Sequence, residues 1–206
     1  MSGSSTRLTT ERGGTLTASE RHGPADPLGG SLARALEGDE AAFGEVWRLL
    51  QPPLLRYLKV RDREYAEDIA AETWLHVVRD LGRFSGGAAE FRAWVFTLAR
   101  HRAIDAARAQ AARPSVPTAE VIDISTAPSA EAAALERADT EAAVRLVATL
   151  PTVQAEMVML RVVAGLSVAE VATIVGKKPG TVAVAVHRAL KKLAGAHGAP
   201  TADGTR

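Results

Sequence analysis

Cysteine is absent from the 206-residue chain. That excludes disulfides, thiolate metal sites and cysteine nucleophiles, and fits a reducing cytosol. An excess of one charge is also lacking. The 25 Lys and Arg against 24 Asp and Glu leave a formal net charge of +1, so any nucleic-acid role rests on local basic patches. No apolar run is long: charge-free stretches such as Leu146–Ala155 reach about half of the ~20 residues a membrane span needs. The N-terminus shows no apolar h-region, so no secretory signal is readable. Hydrophobic residues make up 47% of the chain, enough for globular folding, and the expectation is a soluble intracellular protein.

Aromatics are scarce and segregated. Phe43, Trp47, Tyr57, Tyr65, Trp74, Phe84, Phe91, Trp94 and Phe96 are all of them, and none follows Phe96. This predicts two cores, one aromatic-rich and a later one built from Val, Leu, Ala and Met. Between them, Arg113–Ala130 carries Pro114, Pro117 and Pro128 among Ser and Thr, the composition of a semi-extended linker. Residues 1–30 hold only Leu8, Leu16 and Leu28 as large aliphatics and read as disordered, as do residues 197–206. The expected organisation is therefore an N-terminal domain at 31–112, a linker at 113–134 and a C-terminal domain at 135–196.

Both domains are expected to be all-helical, since apolar residues recur at helical spacing and no run alternates with period two. Asp39 is a predicted N-cap for a helix carrying Phe43, Trp47 and Leu50, interrupted near Pro52 and Pro53. A second helix, about Arg63–Leu81, puts Ile69, Thr73, Val77 and Leu81 on one stripe, with Ala66, Ala70, Trp74 and Val78 beside it. Arg83-Phe84-Ser85-Gly86-Gly87 breaks it. A third, about Ala89–Ala112, is expected to bury Phe91, Trp94, Val95 and Leu98. Helices at about Glu131–Thr149, Val153–Val163, Val168–Val175 and Pro179–Leu193 follow.

Charge is placed along these helices. Glu64, Asp68 and Glu72 share one face at i, i+4 and i+8, an arrangement that costs an isolated helix roughly 0.2–0.5 kcal/mol per pair. A solvated acidic face and a docking face for a basic partner both fit it. The third helix reverses the sign, with Arg92, Arg100, Arg102, Arg108 and Arg113 around Phe91, Trp94 and Phe96. Guanidinium groups neutralise phosphates and exposed rings stack on unpaired bases at roughly 1–3 kcal/mol each, so single-strand binding stands beside the simpler reading of Phe91 and Trp94 as core. Near the C-terminus, Ser167 precedes Glu170 by three residues, a capping box, and Gly176 followed by Pro179 separates a short helix from a longer one. That is the helix-turn-helix order, whose second helix enters the major groove. Lys177, Lys178, Arg188, Lys191 and Lys192 populate it with no acid among them, though the last lysines also suit the helix dipole.

These residues resemble a family, the extracytoplasmic-function sigma factors, small two-domain sigma subunits of bacterial RNA polymerase. Asp68-Ile-Ala-Ala-Glu72-Thr-Trp74 is similar to the family's region-two signature Asp-Leu-Val-Gln-Glu-Thr-Phe. Phe91-Arg-Ala-Trp94 through Ile104-Asp105 is similar to its next helix. Leu150-Pro151, Leu160-Arg161, Gly165-Leu166-Ser167, Glu170-Val-Ala172, Gly176 and Gly180-Thr181-Val182 through His187-Arg188-Ala189-Leu190 follow region four. The resemblance spans about Asp39–Arg113 and Leu135–Leu193. It implies a sigma region 2 bundle and a sigma region 4 helix-turn-helix, and an alternative sigma factor that binds core RNA polymerase and directs promoter recognition and −10 melting. It further implies that Asp68, Ala71, Glu72 and Leu75 meet the β′ clamp helices. By the same resemblance Arg83, Phe84, Ser85, Gly86, Gly87, Arg92, Trp94, Arg100 and Arg102 grip the unpaired −10 strand. Arg161, Lys177, Lys178, Thr181, Ala183, Val184, His187, Arg188 and Lys191 are then assigned to the −35 duplex. The β flap is an implied second polymerase contact, and an anti-sigma factor is a candidate partner. No catalytic residue, cofactor or metal is implied; phosphodiester chemistry belongs to the polymerase.

Two departures from the family stand out. Ala71 occupies the place of the usual glutamine, and Ala183-Val184-Ala185 stand where relatives commonly show Lys, Ser and Arg. Phosphate anchoring then falls to Lys177, Lys178, Arg188 and Lys191, while Val184 or a neighbouring Ala is suited to touch a thymine methyl. Two other function classes compete. A free-standing helix-turn-helix regulator would bind duplex operator DNA without polymerase, leaving the acidic helix and the aromatic-arginine loop without purpose. An enzyme finds little support: Glu72 with His76, and His101 with Asp105, are i,i+4 pairs of a kind common on helix surfaces, unaccompanied by a nucleophile, phosphate loop or HExxH motif.

Overall fold

The computed structural model describes residues 26–112 and 130–197. The expected disorder of residues 1–25 and 198–206, and most of the predicted linker, lie outside the described residues. Within them the fold is all-helical: α1 (Pro27–Leu36), α2 (Glu40–Arg61), α3 (Ala66–Asp80), α4 (Ala88–Ala111), α5 (Ala130–Ala148), α6 (Thr152–Val158), α7 (Val168–Val175) and α8 (Pro179–His197). A 3-10 turn, Leu81–Arg83, closes α3, and a π-helical turn, Met159–Val163, extends α6.

Several helices differ from expectation in their extent. Helix α1 starts at Pro27, inside the segment expected to be disordered. Taken alone, residues 1–30 carry too little apolar surface. Across the boundary, however, Leu28, Leu32 and Ala35 form an i, i+4, i+7 stripe, all buried. The Asp26 carboxylate accepts from the Leu28 amide at 3.1 Å, and Pro27 stands at the first helical position, where its missing N–H costs nothing. Helix α2 runs unbroken through Pro52 and Pro53, where an interruption was expected. An interior proline costs a helix about 3 kcal/mol. Here Val46, Leu50, Leu54, Tyr57 and Leu58 are all buried along one stripe that spans the prolines, and their burial outweighs local propensity. At the other end of the chain α8 reaches His197, and α5 already begins at Ala130, within the predicted linker.

The first four helices pack as a bundle on Tyr57, Phe91 and Phe96, each fully buried. Tyr57 and Phe96 meet edge to face with centroids 5.6 Å apart. Trp94 and Leu98, expected to be buried, are only half-buried, while Phe96 takes the core position; Val78 is 56% exposed and so leaves the stripe predicted for it. The second half forms around Met157, Leu160, Leu166, Val171, Val182 and Val186. Its cap is the predicted one. The Ser167 hydroxyl accepts from the Glu170 amide at 3.2 Å, and the Glu170 carboxylate accepts from the Ser167 amide at 2.6 Å. Gly176 then turns left-handed at φ 66°, and the Lys177 amide closes onto the Ala172 carbonyl at 2.9 Å, so α8 leaves at an angle to α7.

The two aromatic-poor and aromatic-rich cores do not stay separate. One apolar cluster runs from Leu28 through Phe96 to Met157, Leu166 and Val186, with α2 laid against α5 and α6 and α4 touching α7. The segregation of aromatics therefore marks the composition of each half, not a gap between them.

Candidate nucleic-acid and polymerase interfaces

On α3 the core-facing positions Ile69, Ala70, Thr73, Trp74 and Val77 are buried, which fixes the opposite face outward. The Thr73 hydroxyl donates to the Ile69 carbonyl and the Trp74 indole to Gln51 Oε1. Asp68, Ala71, Glu72 and Leu75, the residues expected to meet polymerase, all lie on that outer face, and Leu75 is 74% exposed. Val78, not foreseen there, extends the apolar strip one turn further. Leu75 and Val78 thus put bare aliphatic side chains beside the carboxylates of that face. At the helix end, Arg79 beside Asp80 holds the Asp80 carboxyl below the usual aspartate range. His76 Nε2 stands 3.1 Å from Asp80, and Arg102 reaches His76 Nδ1 at 2.9 Å. The ion-pair partner of His76 is therefore Asp80, one turn on, and not the equally spaced Glu72 of the disfavoured enzyme reading. Among the described residues no group of three or more His, Asp and Glu side chains is set to hold a metal.

The loop Arg83–Gly87 is short and shaped by its glycines. Gly86 has φ 149°, and a Cβ there would stand 3.1 Å from both Glu90 Cβ and Phe84 Cζ. The Gly87 amide donates to Glu90 at 3.0 Å, which anchors the start of α4. Behind the loop, Phe84 stacks on Trp94 with centroids 5.2 Å apart, and both contact Phe91 at 5.1 and 5.6 Å. Phe91 is buried, whereas Phe84 and Trp94 are half-exposed, so the two readings of these rings divide between them. Arg83, Ser85, Gly86 and Gly87 are exposed.

The arginines of α4 are not brought together as one phosphate grip. Arg92 pairs with Asp26 at 3.2 Å, Arg102 leans on His76, and the Nε of Arg100 donates to Glu156 at 3.0 Å. Arg100 and Arg102 do share a cleft of about 570 Å³ with His76, His101, Asp105 and Arg108. Along α4, residues 88 and 102 are about 21 Å apart at 1.5 Å per residue, the length of about six stacked nucleotides.

Sequence reasoning missed Glu156. It is 3% exposed, and its Oε1 accepts from the Tyr57 hydroxyl at 3.0 Å, from Arg61 Nη1 at 2.6 Å and from Arg100 Nε at 3.0 Å. Burial and the adjacent carboxylate push the Tyr57 hydroxyl far above its usual range, so it stays a donor. A second acid, Glu141, pairs with Lys59 and Arg63 across the same junction. The legible signal was a single acid inside the apolar run Val153–Val163.

On α8 the division of faces is clean. Val182, Val186 and Ala189 are buried, while Thr181, Ala183, Val184, His187, Arg188 and Lys191 are exposed. Lys177 and Lys178 in the preceding turn are exposed as well, and Arg161 is exposed while donating to the Leu166 carbonyl at 3.2 Å. Thr181, Val184, Arg188 and Lys191 fall at i, i+3, i+7 and i+10, a single stripe along the outer face. Val184 is 50% exposed. Among the described residues no helix is long and apolar enough to cross a membrane.

Comparison with known proteins assigns both halves of the chain to one family. The sigma-70 region 2 profile matches residues 46–113 and the sigma-70 region 4 profile matches residues 140–193. ECF RNA polymerase sigma factor ShbA of Streptomyces griseus is 36% identical over 81% of this chain and 93% of its own length. ECF RNA polymerase sigma factor SigD of Mycobacterium tuberculosis is 34% identical over 79% and 80% respectively. Among solved structures, CnrH bound to the cytosolic domain of CnrY superposes with a TM-score of 0.56 at 22% identity, covering 85% of this chain and all of that one. RpoE of Bartonella quintana, bound to the anti-sigma factor NepR, gives 0.53 at 19% identity over 73% and 93%. Sigma factors are non-catalytic initiation factors. The chain belongs to the extracytoplasmic-function RNA polymerase sigma factors of the sigma-70 family, and is an alternative sigma factor that directs transcription initiation.

Proposed function

We propose a residue-level division of labour for this sigma factor. Residues 31–112 act as region 2, docking Asp68, Ala71, Glu72, Leu75 and, in addition, Val78 on the cationic β′ clamp helices. The loop Arg83–Gly87 with Trp94, Arg92, Arg100 and Arg102 tracks the unpaired −10 strand, with the half-exposed Phe84–Trp94 pair supplying a stacking platform. Residues 135–196 act as region 4, contacting the β flap and laying α8 in the major groove of the −35 duplex. Lys177, Lys178, Arg188 and Lys191 neutralise phosphates, and Ala183 and Val184 present an apolar edge to thymine methyls. The factor works in the cytoplasm and carries no chemistry of its own. An anti-sigma partner is in keeping with the anti-sigma complex in which the Bartonella quintana RpoE was solved.

The observation that carries this reading is the sorting of α8: each residue assigned to DNA is exposed, while Val182, Val186 and Ala189 opposite are buried. The test is run-off transcription with purified core polymerase on a genomic fragment library, with and without the protein. Defined start sites that depend on it, sharing −10 and −35 sequences, support the assignment. Binding to duplex DNA with no binding to core would overturn it in favour of a free-standing regulator.

A further inference from the structure

The carboxylate of Glu156 ties the two halves together from the inside. Its Oε1 takes three donors, all from the N-terminal half: Tyr57 and Arg61 of α2 and Arg100 of α4. The carboxylate and the hydroxyl are buried, Tyr57 fully and Glu156 to 3% exposure, while Arg61 and Arg100 keep 16% and 22% of their side chains exposed. Glu141 on α5 adds a more exposed bridge to Lys59 and Arg63. A buried carboxylate without partners is expensive, so this geometry exists only while the halves are docked.

Docked halves cannot occupy a promoter as proposed above. Elements named for positions about 25 base pairs apart lie roughly 85 Å from each other along a duplex rising 3.4 Å per step. A compact body of about 155 residues has a radius of gyration near 15 Å and a diameter of about 40 Å. One packed body therefore reaches one element at a time. The latch also consumes a proposed DNA contact, because Arg100 neutralises Glu156 and is only 22% exposed. The polymerase face of α3 stays open meanwhile, with Leu75 and Val78 bare.

We propose that Glu156 is an intramolecular latch that holds the chain in a closed form able to meet polymerase but unable to span a promoter. Its consequence for transcription rests on the promoter assignment above; its existence does not. Opening exchanges the three hydrogen bonds for water and returns Arg100 to the −10 surface.

The test exploits the absence of native cysteine. Glu37→Cys just beyond α1 and Lys192→Cys in α8, both at exposed positions, accept a donor and acceptor dye for single-molecule energy transfer in the full chain. Wild type is expected to be mostly high-transfer. Glu156→Gln keeps the size but strands two arginines, and should raise the low-transfer population at least on the order of tenfold with helical circular dichroism unchanged. Tyr57→Phe, which removes one donor alone, should shift it in the same direction by less. Glu156→Gln should also speed promoter-complex formation without weakening binding to core polymerase, since the α3 face is untouched and the β-flap contact is freed. Wild-type transfer in a folded Glu156→Gln chain would overturn the latch. If that variant loses its helical signal, unchanged transfer in Tyr57→Phe overturns it instead. A shift in transfer without any gain in promoter binding sustains the latch and rejects the promoter assignment.

Discussion

At the scale of single residues, two positions carry consequences that neighbouring ones do not. Val184 stands on the outer face of α8 with half its surface bare, on the side that the proposed function turns toward DNA. Apolar contact with a thymine methyl contributes about 0.8 kcal/mol, the value of one buried methylene. Replacing the contacted thymine by uracil should therefore weaken duplex binding about three- to fourfold in a fluorescence anisotropy titration. The Val184→Ser chain should not distinguish the two bases; equal affinity of the wild type for both would remove the methyl from the account. Gly86 is the second position. With φ 149°, and a Cβ that would meet Phe84 and Glu90 tightly at 3.1 Å, Gly86→Ala is expected to cost about 1–3 kcal/mol of stability, read as a lowered Tm. It should also displace the Phe84 ring from Trp94, visible as a change in tryptophan fluorescence.

At the scale of elements, α3 is the clearest case of a helix with two destinations. Trp74 and Val77 hold it to the bundle; Leu75 and Val78 on the other side stand exposed among the described residues. Leu75→Ala should leave the unfolding free energy within about 0.5 kcal/mol of wild type, as exposed substitutions do. It should weaken binding to core polymerase roughly tenfold or more, the effect of one well-buried leucine at an interface. Biolayer interferometry with immobilised core reads both the loss and, with Val78→Ala, whether the strip extends as far as the structure allows. The elements were largely legible in the sequence. The capping box at Ser167, the Gly176 turn and the acidic face of α3 are local signals, each fixed by chemistry within a few residues. What was not legible depended on distant partners. Helix α2 survives two prolines because Leu54 and Tyr57 beyond them are buried, and Phe96 rather than Trp94 fills the core because of where α2 lies. Arg92 and Arg100 carry the residue type expected of a phosphate contact, yet their partners Asp26 and Glu156 lie 66 and 56 residues away, beyond any periodicity argument.

At the scale of the whole molecule, near-neutral net charge conceals opposed surfaces: carboxylates on α3, and cations on α8 with no acid between Lys177 and Lys192. Long-range attraction to DNA is correspondingly local. If Lys177, Lys178, Arg188 and Lys191 are the phosphate anchors, log K for an isolated duplex should fall with log salt at a slope of about −3.6, near 0.9 per anchor. Lys191→Ala should flatten that slope by about one unit, with little change in base preference; a slope that does not move places Lys191 off the phosphates. Order of synthesis gives the buried carboxylate one more consequence. Arg100 precedes Glu156 by 56 residues, and ribosomes add about 5–20 residues per second. For some three to eleven seconds, each nascent chain has made Tyr57, Arg61 and Arg100 but not the acid that will gather them. A chain still on the ribosome thus displays its arginines to any nucleic acid nearby, the message being translated included, until the 156th residue arrives to withdraw them.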